Sequence, residues 1–178
     1  FAVLRIFFWR RFPVPTLSCA DASPSNFLHS RTIQSQNGRS DVVDVSIEYR
    51  GELRTTVTHG PSGQKIATDA PIDNQGRGEY FSPTDLVAAA LGSCIATLMG
   101  IYAKKHGIDL AGLSVHVEKH MNAEPRRIGR LPVVIDVPLE LDERHRSGIE
   151  TMARHCPVHK SLHPDIDSPM TFRYRKSQ

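Results

Sequence analysis

The sequence predicts an α+β domain. Three observations carry that prediction: period-two alternation over Val43–Tyr49, an uncharged helix running from Pro83 to Gly100, and renewed alternation from Leu131 ahead of a second helical stripe. Val43, Val45, Ile47 and Tyr49 oppose Asp44, Ser46 and Glu48, the pattern of a half-buried strand. Arg50-Gly51 makes a turn, and Leu53, Thr55 and Val57 continue on one face of a second strand. Gly60-Pro61-Ser62-Gly63 turns the chain again into a short strand around Lys65–Thr68. These three pieces form an antiparallel meander.

A loop, D-N-Q-G-R-G-E-Y-F, leads into the long helix. Ser82 is placed to cap it, Pro83 suits its first position, and Asp85 stands where a capping box wants an acid. The residues between Asp85 and Lys104 carry no charge, a length that reaches the threshold for a membrane span. The stretch is rich in Ala and contains Gly92, Ser93, Thr97 and Gly100, so it is expected to be a central core helix instead. Gly92, Ala96 and Gly100 form a small ridge that lets another backbone approach. Strands are expected near Leu113–Val117 and over Leu131–Leu141, with the basic loop Arg126–Arg130 as a solvated hairpin turn. A helix from about Asp142 places Ile149, Met152, Ala153 and Cys156 on one face. Met170, Phe172 and Tyr174 alternate in a last strand, giving the order βββ-α-ββ-α-β.

The chain has 178 residues, 39% apolar and 23% charged, which fits one domain over 41–178 with an atypical tail over 1–40. The net charge of +3 comes from the tail, whose five Arg and one Asp leave the body at −1. A body so nearly neutral has no basic field for nucleic acid. The tail holds six of the twelve aromatics, is Arg-rich and acid-poor, and reads as a targeting segment, an upstream extension or a disordered segment. Arg10 and Arg11 break its apolar run, which excludes a spanning helix there. With Cys19 in the tail, two body cysteines are too few for a disulfide scaffold, pointing to a reducing compartment such as the cytoplasm. The tail leaves an organelle address open.

Those two cysteines carry the chemistry. Cys94 lies three turns into the long helix, too far from its start for the helix dipole to help a thiolate, so a cation must come from elsewhere. Arg54 in the meander is the first candidate, with Arg50 and Arg77 behind it. A guanidinium can hold a thiolate and a peroxide oxygen together through parallel hydrogen bonds. The competing reading makes Cys94 a small packed apolar residue. Cys156 opens C-P-V-H-K-S-L: Pro157 suits the first turn of a short helix, leaving Cys156 near its N-cap, although Cys156 also completes the Ile149/Met152/Ala153 stripe. Glu79 either orients an arginine or is a solvated loop acid, and Asp85 reads as a cap rather than a catalytic acid. His155, Cys156, His159 and His163 bunch together, but no paired C-x-x-C supports a metal site, and neither metal nor cofactor is expected.

The stretch T-D-A-P-I-D-N-Q-G-R-G-E-Y-F-S-P-T-D-L-V-A-A-A-L-G-S-C, followed by C-P-V-H-K-S-L-H-P, resembles the OsmC family, the osmotically inducible protein C and organic hydroperoxide resistance group. The similarity runs from about Val43 to Tyr174. It implies antiparallel sheets wrapped around long central helices in an intertwined homodimer, with active sites at the subunit interface. It further implies a thiol peroxidase in oxidative stress defence: Cys94 attacks an organic hydroperoxide, Cys156 resolves the sulfenic acid, Arg54 and Glu79 assist, and a lipoyl or small-thiol dithiol reduces the disulfide. In one respect the sequence departs from the pattern. Peroxidase members carry an acid directly after the helix-opening proline, and this chain has Thr84 there, with Asp85 one residue on and rotated by about 100°. Two other readings stand beside this one: a noncatalytic member that binds a small hydrophobic ligand, and an acyl-transfer enzyme with His159 as base for a cysteine.

Overall fold

A computed structural model describes residues 42–175; the expectations for residues 1–40 lie outside them. The meander is present as β1 (Val45–Gly51), β2 (Arg54–His59) and β3 (Lys65–Asp69), antiparallel in the order β1-β2-β3. The β1–β2 turn is sharp: Gly51, Glu52 and Leu53 all have left-handed backbone, with φ of 87°, 50° and 62°. Leu53 tolerates this because its amide donates to the Tyr49 hydroxyl at 3.2 Å and its carbonyl accepts from Ala70 N at 3.2 Å. A single 3₁₀ turn over Ile72–Asn74 follows β3.

Helix α1 spans Pro83–Lys105 and begins as the sequence predicts. The Ser82 hydroxyl accepts from Asp85 N while the Asp85 carboxylate accepts from Ser82 N, closing a capping box with Pro83 at the first helical position. By length and hydropathy α1 could cross a membrane. In the fold its Leu91, Ile95 and Met99 are wholly buried, and it packs on β4 (Ser114–Val117), α2 (Glu143–Arg154) and α3 (Pro157–Ser161). The expectation of a helix covered all round is met on one side only: Ala89, Ala90, Ser93, Thr97 and Ile101 are exposed.

The remaining strands are β5 (His120–Asn122), β6 (Arg127–Arg130), β7 (Val133–Val137) and β8 (Met170–Tyr174). Two details differ from the sequence reading. Arg127–Arg130 is not a turn but a strand, paired antiparallel with β5; a hairpin this short carries too few alternating positions to register as one. The long strand expected over Leu131–Leu141 contracts to Val133–Val137, bounded by Pro132 and Pro138, neither of which can donate to a ladder. In the second sheet, ordered β4-β7-β8, β4 and β7 are antiparallel but β7 and β8 are parallel, from Val133↔Met170 to Val137↔Tyr174. The α2–α3 connection makes this possible, because a parallel neighbour needs a helical crossover rather than a tight turn. Leu131, Val133, Ile135 and Val137 meet Leu91, Ile95, Met99 and Ile149 in one core. The fold is thus α+β, mixed helix and largely antiparallel sheet.

Candidate active site

The core delivers the two thiols to one place. Cys94 lies on α1, half-buried and packed against the core. Cys156 has no solvent exposure and sits at the N-cap of α3, with Pro157 opening that helix. Cys156 packs with Ile149 and Ala153 in the core and also occupies the N-cap position of α3, but its side chain makes no capping hydrogen bond, so the helix start does not favour its anion enough to offset burial. Both cysteines are free, and their thiols lie close enough to influence each other. Burial pushes the Cys156 thiol above the ordinary range, and the neighbouring Cys94 thiol adds to the rise; the amides of His159 and Val158 pull the other way and are outweighed. Cys156 therefore keeps its proton at neutral pH.

A second constellation forms at the open end of the meander. The Arg54 guanidinium is ion-paired with Glu79, lies 3.5 Å from Asp69 Oδ2, and stacks over the Tyr80 ring at 5.3 Å. Glu79 is thus no free loop acid. The Glu79 hydrogen bond is foremost in raising the Arg54 pKa above its usual value, so the group is a permanent cation. Asp69, which the sequence reading passed over, is completely buried; its Oδ2 also accepts from Glu79 N at 3.1 Å. Burial alone would raise its pKa, but the Glu79 amide and Arg54 more than offset this and hold the carboxyl below the ordinary range. A Thr-Asp pair at the end of a short strand looks like the entry to a turn, so the sequence carries no signal for it.

Within one chain no hydrogen bond or ion pair joins Arg54 to either cysteine among the described residues. Arg50 and Arg77, the other candidates, are bound to Glu48 and Glu52. Thr84 and Asp85 do not face Arg54 either. Lys119 Nζ lies 2.9 Å from Thr84 Oγ1 and 2.5 Å from Asp85 Oδ1, an ion pair that also escaped the sequence reading because an isolated lysine after a strand has no pattern. Burial would raise the Asp85 pKa, but Lys119 and the Ser82 amide together hold it below normal. An open groove of 880 Å³ lies over this corner, walled by Tyr80, Phe81 and Lys119 and floored by Ala88, Gly92 and Val117. No group of three His, Cys, Asp or Glu among the described residues is placed to hold a metal ion.

The family model described as OsmC-like protein matches residues 76–168, which include both cysteines and Glu79. A solved structure from Psychrobacter arcticus, named for osmotic stress induction and a detoxification response, is 44% identical with a TM-score of 0.70, covering 72% of this chain and 94% of that one. An organic hydroperoxide resistance protein OsmC of Legionella pneumophila is 19% identical, TM-score 0.58, with 74% and 96% covered. An organic hydroperoxide resistance protein of Elizabethkingia anophelis is 15% identical, TM-score 0.61, with 75% and 96% covered. These last two share the fold. No curated protein matches the sequence.

Proposed function

The chain belongs to the OsmC-like protein family, and from that premise we propose that it is a thiol peroxidase for organic hydroperoxides, cycling Cys94 and Cys156 between dithiol and disulfide. The observation that carries the proposal is the pair of free thiols brought close together by the fold, one half-buried and the other fully enclosed. In the first step the Cys94 thiolate attacks the distal peroxide oxygen. The O–O bond breaks, Cys94 becomes a sulfenic acid, and the departing alkoxide takes a proton to leave as the alcohol. In the second step the Cys156 sulfur, losing its proton, attacks the Cys94 sulfur. An S–S bond forms and the hydroxyl leaves as water. A dithiol of the lipoyl or small-thiol class then exchanges with the disulfide, is itself oxidised, and restores both thiols.

Arg54 is the cation proposed to stabilise the attacking thiolate and the developing alkoxide, with Glu79 orienting it. Since Arg54 and Cys94 do not meet within one chain, the proposed site is completed by a second copy. Two outward apolar surfaces fit such a partner: Ile47 and Tyr49 on β1, each 64% exposed, and Ile101 on α1, 55% exposed. Known relatives named for hydroperoxide resistance share the fold and support the substrate class.

The test is turnover of an organic hydroperoxide by the Cys→Ser variants. Cys94→Ser abolishes consumption. Cys156→Ser reduces one equivalent of peroxide and stops, leaving Cys94 as a sulfenic acid that dimedone captures. Undiminished consumption by Cys94→Ser protein would remove the proposal.

A further inference from the structure

Arg54 begins β2 directly after two residues of left-handed backbone, Glu52 and Leu53. A strand start of that kind does not aim a long flexible side chain by itself. Asp69 is its directly paired neighbour on β3, so the two side chains emerge on the same face of the sheet. The Asp69 side chain has 0% exposure, against 24% for Arg54 and 52% for Glu79. Of the two carboxylates on Arg54, one is sealed in and the other is open to solvent.

The same two residues, Asp69 and Ala70, tie together both sides of the Arg54–Glu79 pair. Ala70 N donates to Leu53 O at 3.2 Å, which holds the turn ahead of Arg54. Asp69 N donates to Phe81 O at 3.2 Å, and Asp69 Oδ2 accepts from Glu79 N at 3.1 Å, which holds the loop carrying Glu79. That loop lies tight against Ala70: Gly78 N donates to Ala70 O, and a Cβ on Gly76 would fall 1.7 Å from the same oxygen. A buried carboxylate is a costly group to keep unless its charge is used. Here its negative end faces a guanidinium and an amide, and both belong to the proposed site.

We propose that Asp69 is a positioning residue for the thiol chemistry: it fixes the Arg54 guanidinium and the Glu79 loop in one orientation, touching neither peroxide nor sulfur. Asp69 is the permanent anchor, because no solvent competes for it. Glu79 is the exchangeable partner, and its release leaves N–H groups of Arg54 for another acceptor without freeing the side chain. The inference rests on the thiol peroxidase reading, in which Arg54 serves Cys94.

The test needs no peroxide. Site-resolved alkylation of Cys94 by iodoacetamide is followed by mass spectrometry from pH 5 to 10 in the full chain, in wild type, Asp69→Asn, Arg54→Gln and the double variant. Asp69→Asn is expected to raise the pH midpoint by roughly half to one unit, slowing alkylation near neutrality by about 3- to 10-fold. In the Arg54→Gln background the same substitution is expected to change nothing further, because Asp69 acts through Arg54. Asp69→Glu keeps the charge but displaces it by one methylene, and moves the midpoint in the same direction by less; it carries the test if the Asn variant does not fold. Equal slowing with and without Arg54 would mean a general structural role and overturns the inference. So would a lowered midpoint, the result for a carboxylate that merely opposes the arginine's charge, or no shift in either Asp69 variant. If Arg54→Gln alone leaves Cys94 unmoved, the role of Arg54 falls as well, and the failure lies in the underlying reading.

Discussion

The state of Cys156 makes the sharpest prediction. Only a thiolate attacks a sulfenic acid, and an ordinary thiol with a pKa of about 8.5 is roughly 3% ionised at pH 7. Cys156 lies below that fraction, because burial foremost, and then the neighbouring Cys94 thiol, push its pKa up. A group far from its midpoint ionises tenfold more for each unit of pH, so the rate of disulfide formation should rise about tenfold per unit between pH 6 and 8. The assay is single turnover: one equivalent of organic hydroperoxide is added, the reaction is quenched at intervals, and the Cys94–Cys156 disulfide is measured by mass spectrometry. Dimedone reports the sulfenic acid that precedes it. The sulfenic acid should persist longest at low pH, and Cys156→Ser should give no disulfide at any pH. A rate independent of pH across this range would mean that Cys156 is already a thiolate, and the argument from burial would be wrong.

Two further outcomes follow from the geometry. If the site takes Arg54 from one subunit and Cys94 from the other, mixing inactive Arg54→Gln protein with inactive Cys94→Ser protein restores activity. With random pairing in a two-fold dimer, half the dimers are mixed and each holds one intact site, so recovery approaches about a quarter of wild type in a peroxide-consumption assay; no recovery places both residues in one subunit. Second, Asp69 and Asp85 are held below the ordinary carboxylate pKa of 3.8. The stability they contribute is complete above that value and is lost as pH falls through their lowered folded values. Urea midpoints measured from pH 6 down to 2 should therefore drop below pH 4, and Asp85→Asn should flatten that limb.

Much of the fold was legible because it rests on local rules. The start of α1 could be placed to the residue, since Ser82, Pro83 and Asp85 satisfy backbone groups within one turn. The meander followed from alternation. What escaped depended on partners distant in sequence. His120–Asn122 and Arg127–Arg130 become strands only because they face each other. The parallel pairing of β8 with β7 is set by the return path of α2 and α3, which no pattern within Met170–Tyr174 records.

The site divides along the same line. Residue type and motif singled out Cys94, Cys156 and Glu79, and the helix break at Pro157 foretold the N-cap position of Cys156. That the two thiols become neighbours, although 62 positions apart in the chain, is decided by how α1 packs against α3. That Arg54 has a fully buried carboxylate beside it is decided by the register of β2 with β3, which brings Asp69 opposite. Caps, turns and apolar stripes are short-range and can be read along the chain. The pKa of a thiol or the aim of a guanidinium is set by what lies within a few ångströms in space, and only the packed molecule specifies that.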